Sequence, residues 1–235
     1  MASKNVMEGF NFTENATLGF SQLLAPEPYT NPVTGVKGAP KFNASFWMLP
    51  SSQLLVDLKA VIMSVARQKW GTNLEAIRPD EGFDVATKWK LLQLPIKSGD
   101  AINKERAKKN PPKPEVEWLN GKVRFNASTG AAMRPTLSCV FNGQPINLRT
   151  AAEQEPFIGT YFYNGADVRA MVTISTWQSE LGVGVCAYLN GIYSYGTGDR
   201  LGGNNADPAA IFGGHVGHVT SVDPIGAEPA DLLAA

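Results

Sequence analysis

Hydrophobic spacing marks one helix and a series of strands along the chain. Leu54, Leu55, Leu58, Val61, Ile62 and Val65 recur at helical intervals, so one face of residues 53–69 is apolar and an amphipathic helix is predicted there. Pro50-Ser51-Ser52 before the run supplies a hydroxyl N-cap, and Gly71 ends it. Elsewhere apolar residues come in short runs or alternate with polar ones. That pattern predicts strands around Thr17–Leu24, Lys41–Leu49, Lys88–Ile96, Glu115–Phe125, Thr136–Val140, Phe157–Tyr163, Val168–Trp177 and Gly184–Tyr195. Asn120-Gly121 inside Glu115–Phe125 is a strong hairpin signal. Seven or eight short strands with one inserted helix predict a mainly β protein, an OB-like barrel or sandwich.

The rest of the chain reads as connections. Before about residue 40 it is an irregular lead-in rich in Asn, Pro, Gly and Thr. Ser98–Pro114 (SGDAINKERAKKNPPKP) is polar, basic and proline-ended, and is expected to be a mobile loop over 98–114. Past Leu201 Gly, Ala and Pro dominate without periodicity, so a domain over 1–204 is expected to be followed by a tail over 205–235. No 18-residue apolar run occurs, and the first twenty residues lack the apolar centre of a secretory signal. The expectation is an intracellular protein with no membrane partner.

Composition adds little until charge is placed along the chain. The 21 Lys and Arg balance the 21 Asp and Glu, yet every base lies at or before Arg200, while Asp207, Asp223, Glu228 and Asp231 lie beyond it. A basic body with an acidic tail is a pattern of nucleic-acid-binding proteins, and it also fits a solvated tail without a partner. Cys139 and Cys186 sit in apolar strand-like runs and read as free thiols of a reducing compartment.

Catalytic signals are sparse. His215 and His218 form an H-x-x-H pair with no cysteine nearby, which reads as solvated tail and not as a metal site. No Gly-x-Ser-x-Gly elbow and no phosphate-cradling Gly-Lys-Ser/Thr loop occurs. Gly182–Ala187 matches a dinucleotide fingerprint by letter but runs into a strand, where a helix would be needed. With the acids scattered, no catalytic residue, metal or cofactor is expected, which favours a binding protein over an enzyme.

Binding chemistry is better supplied. Between residues 88 and 134 stand eleven bases: Lys88, Lys90, Lys97, Lys104, Arg106, Lys108, Lys109, Lys113, Lys122, Arg124 and Arg134. Only Asp100, Glu105, Glu115 and Glu117 oppose them, and Trp89, Trp118 and Phe125 are interleaved. Cations that track phosphates and rings on which bases stack are what single-strand binding needs. Strand alternation puts Lys88 and Lys90 on one face and Trp89 on the other, and sets Lys122 and Arg124 against Val123 and Phe125. The same alternation fits rings in a core and bases in solvent. Tyr161, Tyr163, Tyr193 and Tyr195 fall at i, i+2 spacing on two expected strands; each pair suits a stacking platform or a half-buried sheet face.

The ordered motifs resemble a family of bacteriophage single-stranded-DNA-binding proteins of OB-fold type, long catalogued as a domain of unknown function. LGFSQLLAPEPY and KFNASFWMLP are similar to that family's first strands, RQKWG to its Lys-Trp-Gly helix end, and LPIKSGD to its Leu-Pro-x-x-Asp-Gly-Asp turn. FIGTYFYNGADVRAMV and GVGVCAYLNGIYSYGTGDRLGG are similar to its two late blocks, so the resemblance spans most of 17–203. Ser98-Gly99-Asp100 replaces the commoner Asp-Gly-Asp, Gly191-Ile192-Tyr193 stands where a Val-Gln pair is usual, and the end lacks a dense acidic run.

The resemblance implies sequence-independent binding of single-stranded DNA in phage replication, recombination or repair, in the cytoplasm of the infected host. Double-stranded DNA would be bound more weakly, by a monomer or homodimer. It also implies a tail, here Asp223, Glu228, Asp231, Leu232 and Leu233, that contacts replication or recombination proteins. Two other readings of the residues stay open: a virion structural or decoration β-sandwich, and a small nuclease.

Overall fold

A computed structural model describes residues 5–30, 35, 37–71, 93–179 and 182–201 of the 235-residue chain. The chain divides into two units, Met1–Leu201 and Gly202–Ala235, and everything below concerns the first. Among the described residues it is mainly β. Nine strands, β1 (Met7–Asn11), β2 (Ala16–Thr30), β3 (Lys37–Met48), β4 (Ile96–Ser98), β5 (Val123–Gly130), β6 (Thr136–Phe141), β7 (Gln144–Leu148), β8 (Asp167–Ser179) and β9 (Gly182–Ser194), form one sheet. Three α-helices, α1 (Gln53–Trp70), α2 (Gly99–Ala107) and α3 (Ala151–Tyr161), join them.

The sheet runs β4-β5-β3-β2-β8-β9-β6-β7, with β1 paired to β8. All partners are antiparallel except β6 and β9, which run parallel. Among the described residues the ladder is not closed, but Gln93 spans part of the gap. Its N–H donates to Val183 O and its C=O accepts from Val185 N–H, while Pro95 O accepts from Asn126 N–H. The result is an OB-like curl whose inside is filled by one side of each strand.

That inner side follows the period-2 rule. In β3, Ala44, Phe46 and Met48 enter the core, where Phe46 meets Phe12 edge-on at 5.1 Å and Phe125 of β5 lies 6.1 Å away. Helix α1 packs on β1, β8 and β9 and buries Leu54, Leu55, Leu58, Ile62 and Val65 of the apolar stripe read from the sequence, together with Ala66, while Val61 is half-buried. Ser52 Oγ accepts from Leu55 N–H, Glu14 accepts from Leu54 N–H, and Gly71 closes the far end in a left-handed conformation with φ 84°.

Four expectations need correction. First, the lead-in is not irregular, because β1 and a long β2 occupy half of it. Second, Phe157–Tyr163 is not a strand. Thr150 and Glu153 form a reciprocal capping box that starts α3 at Ala151, and the backbone N–H groups of Thr150 and Arg149 hold the Glu153 carboxyl below its usual pKa. Third, Asn120-Gly121 makes no hairpin. A 3₁₀ turn (Glu117–Leu119) precedes it, and Asn120 (φ −61°, ψ 135°) with Gly121 (φ 65°) fits a type II turn that feeds β5. The Asn-Gly hairpin is instead Asn142-Gly143 between β6 and β7, with φ of 51° and 75°.

The fourth concerns 98–114, which is largely ordered as α2. Ser98 caps it, Asp100 lies in its first turn, and Lys104 and Arg106 lie in its last, matching the helix dipole. Asn103, 8% exposed, fastens it: its amide donates to Val116 O (3.0 Å) and Asn120 Oδ1 (2.8 Å), and its oxygen accepts from Val116 N–H (3.1 Å). Asn103→Ala strands these partners and is expected to loosen the 99–122 segment by about 2 kcal/mol. Amide hydrogen exchange should rise there and stay unchanged in β8 and β9. Exchange that rises equally everywhere would contradict a local fastener.

The cysteines are free, Cys139 buried and Cys186 half-buried, and burial raises the pKa of both thiols. No described helix is long and apolar enough to cross a membrane.

Candidate nucleic-acid interface

Opposite the core, the outer face of β4, β5, β3 and β2 is built in rows, because cross-strand partners share a face. One row runs Lys97, Arg124, Trp47, Thr17; the next Asn126, Ser45, Gly19; the next Ser128, Asn43, Gln22. The polar rows are hydrogen-bonded, Ser45 Oγ donating to Asn126 Oδ1 at 2.8 Å and Asn43 donating to Gln22.

Trp47 is the anomaly. It is 2% exposed yet stands outside the core cluster, on the polar face of its strand. Two things let it lie flat there. Residue 19 is glycine, where a Cβ would sit 2.7 Å from the indole Nε1, and Trp118 from the 3₁₀ turn covers it edge-to-face, ring centroids 5.1 Å apart. Lys122 places Nζ 3.8 Å above the half-buried Trp118 ring, and burial lowers its pKa. Arg124, directly across from Trp47, is half-buried; burial lowers its pKa and the charge of Glu105 opposes that shift. Trp47 Nε1 and Arg124 Nε are both buried donors without a partner. Buried donors are normally satisfied.

Helix α2 and its turn border this face through β4. Gly99 N–H donates to Lys122 O at 2.8 Å, and a Cβ at Gly99 would fall 1.9 Å from Leu119 O, so only glycine allows this approach. The retained glycine of Ser98-Gly99-Asp100 thereby gains a structural reason. Lys104, Lys108, Lys109 and Lys113 are exposed, whereas Arg106 is turned inward, Nε donating to Pro114 O. Lys97 pairs with Glu105.

No family model and no curated protein matches the chain. Among solved structures it is similar to the single-stranded-DNA-binding protein of bacteriophage Enc34, at 14% identity over 88% of this chain and 89% of that one, TM-score 0.49. It is similar to the same protein in complex with single-stranded DNA (18% identity, 84% and 89% covered, TM-score 0.49). A third is gp2.5, a single-stranded-DNA-binding protein encoded by bacteriophage T7 (10% identity, 94% and 98% covered, TM-score 0.45). These matches are phage single-stranded-DNA-binding proteins.

The residues singled out from sequence separate into groups. Trp118, Lys122 and Arg124 come together on the outer face, and Lys104, Lys108, Lys109 and Lys113 border it. Arg134 is engaged elsewhere, donating to Leu23 O and to buried Gln154 while stacking 4.6 Å over Phe42. It joins α3 to β2. Tyr161 and Tyr163 do not form a strand pair. Tyr161 ends α3 and its carbonyl accepts from Ser194 Oγ, and Tyr163 donates to Gly198 O under Arg200. Tyr193 and Tyr195 do meet, rings 5.0 Å apart, with Arg169 near Tyr195, but on the β8–β9 side. Lys88, Trp89, Lys90, His215, His218 and the tail residues Asp223, Glu228, Asp231, Leu232 and Leu233 lie outside the described residues. Sequence reasoning missed Trp47, although its parity with Asn43 and Ser45 assigns it to the polar face.

Proposed function

We propose that the chain binds single-stranded DNA with little sequence preference across the outer face of β4, β5, β3 and β2. The observation that carries this reading is the edge-to-face Trp47–Trp118 pair, flanked by Lys122 and Arg124, on a sheet face that is otherwise polar. Bases stack on a ring whose far side is supported by another ring, and each stack contributes about 1–3 kcal/mol irrespective of base identity. Phosphates are met by Lys122, Arg124 and the exposed lysines of the α2 turn. The hydrogen-bonding rows supply adaptable contacts between the two.

The resemblance to the phage family extends the proposal to coating of single strands during replication, recombination or repair in the infected host's cytoplasm. Tail residues 205–235 would contact replication proteins, and no reaction is assigned. Titrating tryptophan fluorescence with oligo-dT at two salt concentrations tests the binding. Quenching is expected, with affinity falling by roughly 0.7 log units per log unit of salt for each phosphate neutralised. Replacing Lys104, Lys108, Lys109 and Lys113 together should flatten that slope. No quenching and no binding at low salt would overturn the proposal.

A further inference from the structure

Phe20 is a non-glycine residue of β2 with a left-handed backbone, φ 46°. The other such residue among those described is Asn142, in a hairpin turn that suits asparagine. Phe20 lies where the β2–β3 register slips between Gly19 and Gln22, a bulge, and the residue is 62% exposed. Left-handed backbone is unfavourable for a bulky residue, and so is an apolar ring in water. Both costs fall on one residue that takes no part in the core. Strain of this kind persists where function uses it, and bulges re-aim side chains next to binding sites.

Its place in the fold suggests that use. Gly19, the residue before it, lies against the Trp47 indole, and Gln22, two residues after it, is bonded to Asn43 of the polar rows. Leu24 is also exposed on β2, but of the side chains between, Leu23 is buried in the core and Ser21 and Gln22 are polar, which suits a nucleobase better than an apolar protein surface. We propose that Phe20 is a second base-stacking residue, held out by the bulge so that a strand crossing the outer face stacks on Trp118 at β5 and on Phe20 at β2. This rests on the single-stranded-DNA reading above.

The test compares the full chain with Phe20→Gly and Phe20→Trp by oligo-dT titration and thermal unfolding. Glycine accepts positive φ, so Phe20→Gly is expected to unfold at the same or a higher temperature while binding oligo-dT about tenfold more weakly. Phe20→Trp should bind within about twofold of the unaltered chain, because it keeps a stacking ring. If the unaltered chain binds and Phe20→Gly binds equally well, Phe20 is not a stacking residue, although the function stands. If Phe20→Gly unfolds earlier and Phe20→Trp binds as weakly as it does, the ring is structural and the inference falls. If the unaltered chain fails to bind, both fall together.

Discussion

Phe125→Ala is expected to lower the unfolding free energy by about 3–5 kcal/mol, the range for removing a fully buried ring. Phe125 is 0% exposed and sits between Phe12 at 6.0 Å and Phe46 at 6.1 Å. It also pairs across the ladder with Phe46 of β3 and Ile96 of β4. The cavity would open under β3, β4 and β5, three of the four strands that carry the outer face. At this chain length each kcal/mol moves the unfolding midpoint by about 2–4 °C, so thermal unfolding should shift down by roughly 10 °C. A midpoint unchanged within a degree would mean that β5 does not anchor the core as described. Phe125→Leu, which refills most of the volume, should recover much of the loss.

The largest effect on binding is expected from Trp118→Ala. It removes the outer ring of the edge-to-face Trp47–Trp118 pair and the partner of Lys122. Losing one base stack plus the support of a cation corresponds to roughly a 10–100-fold fall in oligo-dT affinity. Trp118 is only half-buried and lies outside the core cluster, so stability should change far less than in Phe125→Ala. Trp118→Phe keeps a ring and should restore most of the affinity. A Trp118→Ala chain that binds as tightly as the unaltered one would remove this face from the binding site.

Much of the frame was legible because it rests on local rules. The α1 stripe, the Ser52 cap and the Gly71 stop needed only local spacing and end signals, and alternation set Lys122 and Arg124 against Val123 and Phe125, while the structure decided that Phe125 fills the core. Where reading failed, a local signal competed with another. Phe157, Ile158 and Tyr161 fit a helix as well as a strand, and the deciding Thr150–Glu153 box lies upstream of them. Asn120-Gly121 carries hairpin chemistry, but the Asn120 side chain is claimed by Glu115 and by Asn103, the latter 17 residues away on α2. Trp47 was hidden because a tryptophan in an apolar run reads as core; strand parity puts it on the polar face, and the glycine on the neighbouring strand and the 3₁₀ turn above it let the indole be buried there. The bulge at Phe20 depends on the β2–β3 register, which no local pattern encodes.

Photo-crosslinking the full chain to oligo-dT carrying 5-iodouracil, with the crosslinked residues mapped by mass spectrometry, tests most directly where single-stranded DNA lies. Crosslinks are expected at Trp118 and at Phe20, on the two sides of the outer face. Crosslinks confined to Tyr193 and Tyr195 on the β8–β9 side, or no crosslinked peptide at saturating oligonucleotide, would contradict binding across β4, β5, β3 and β2.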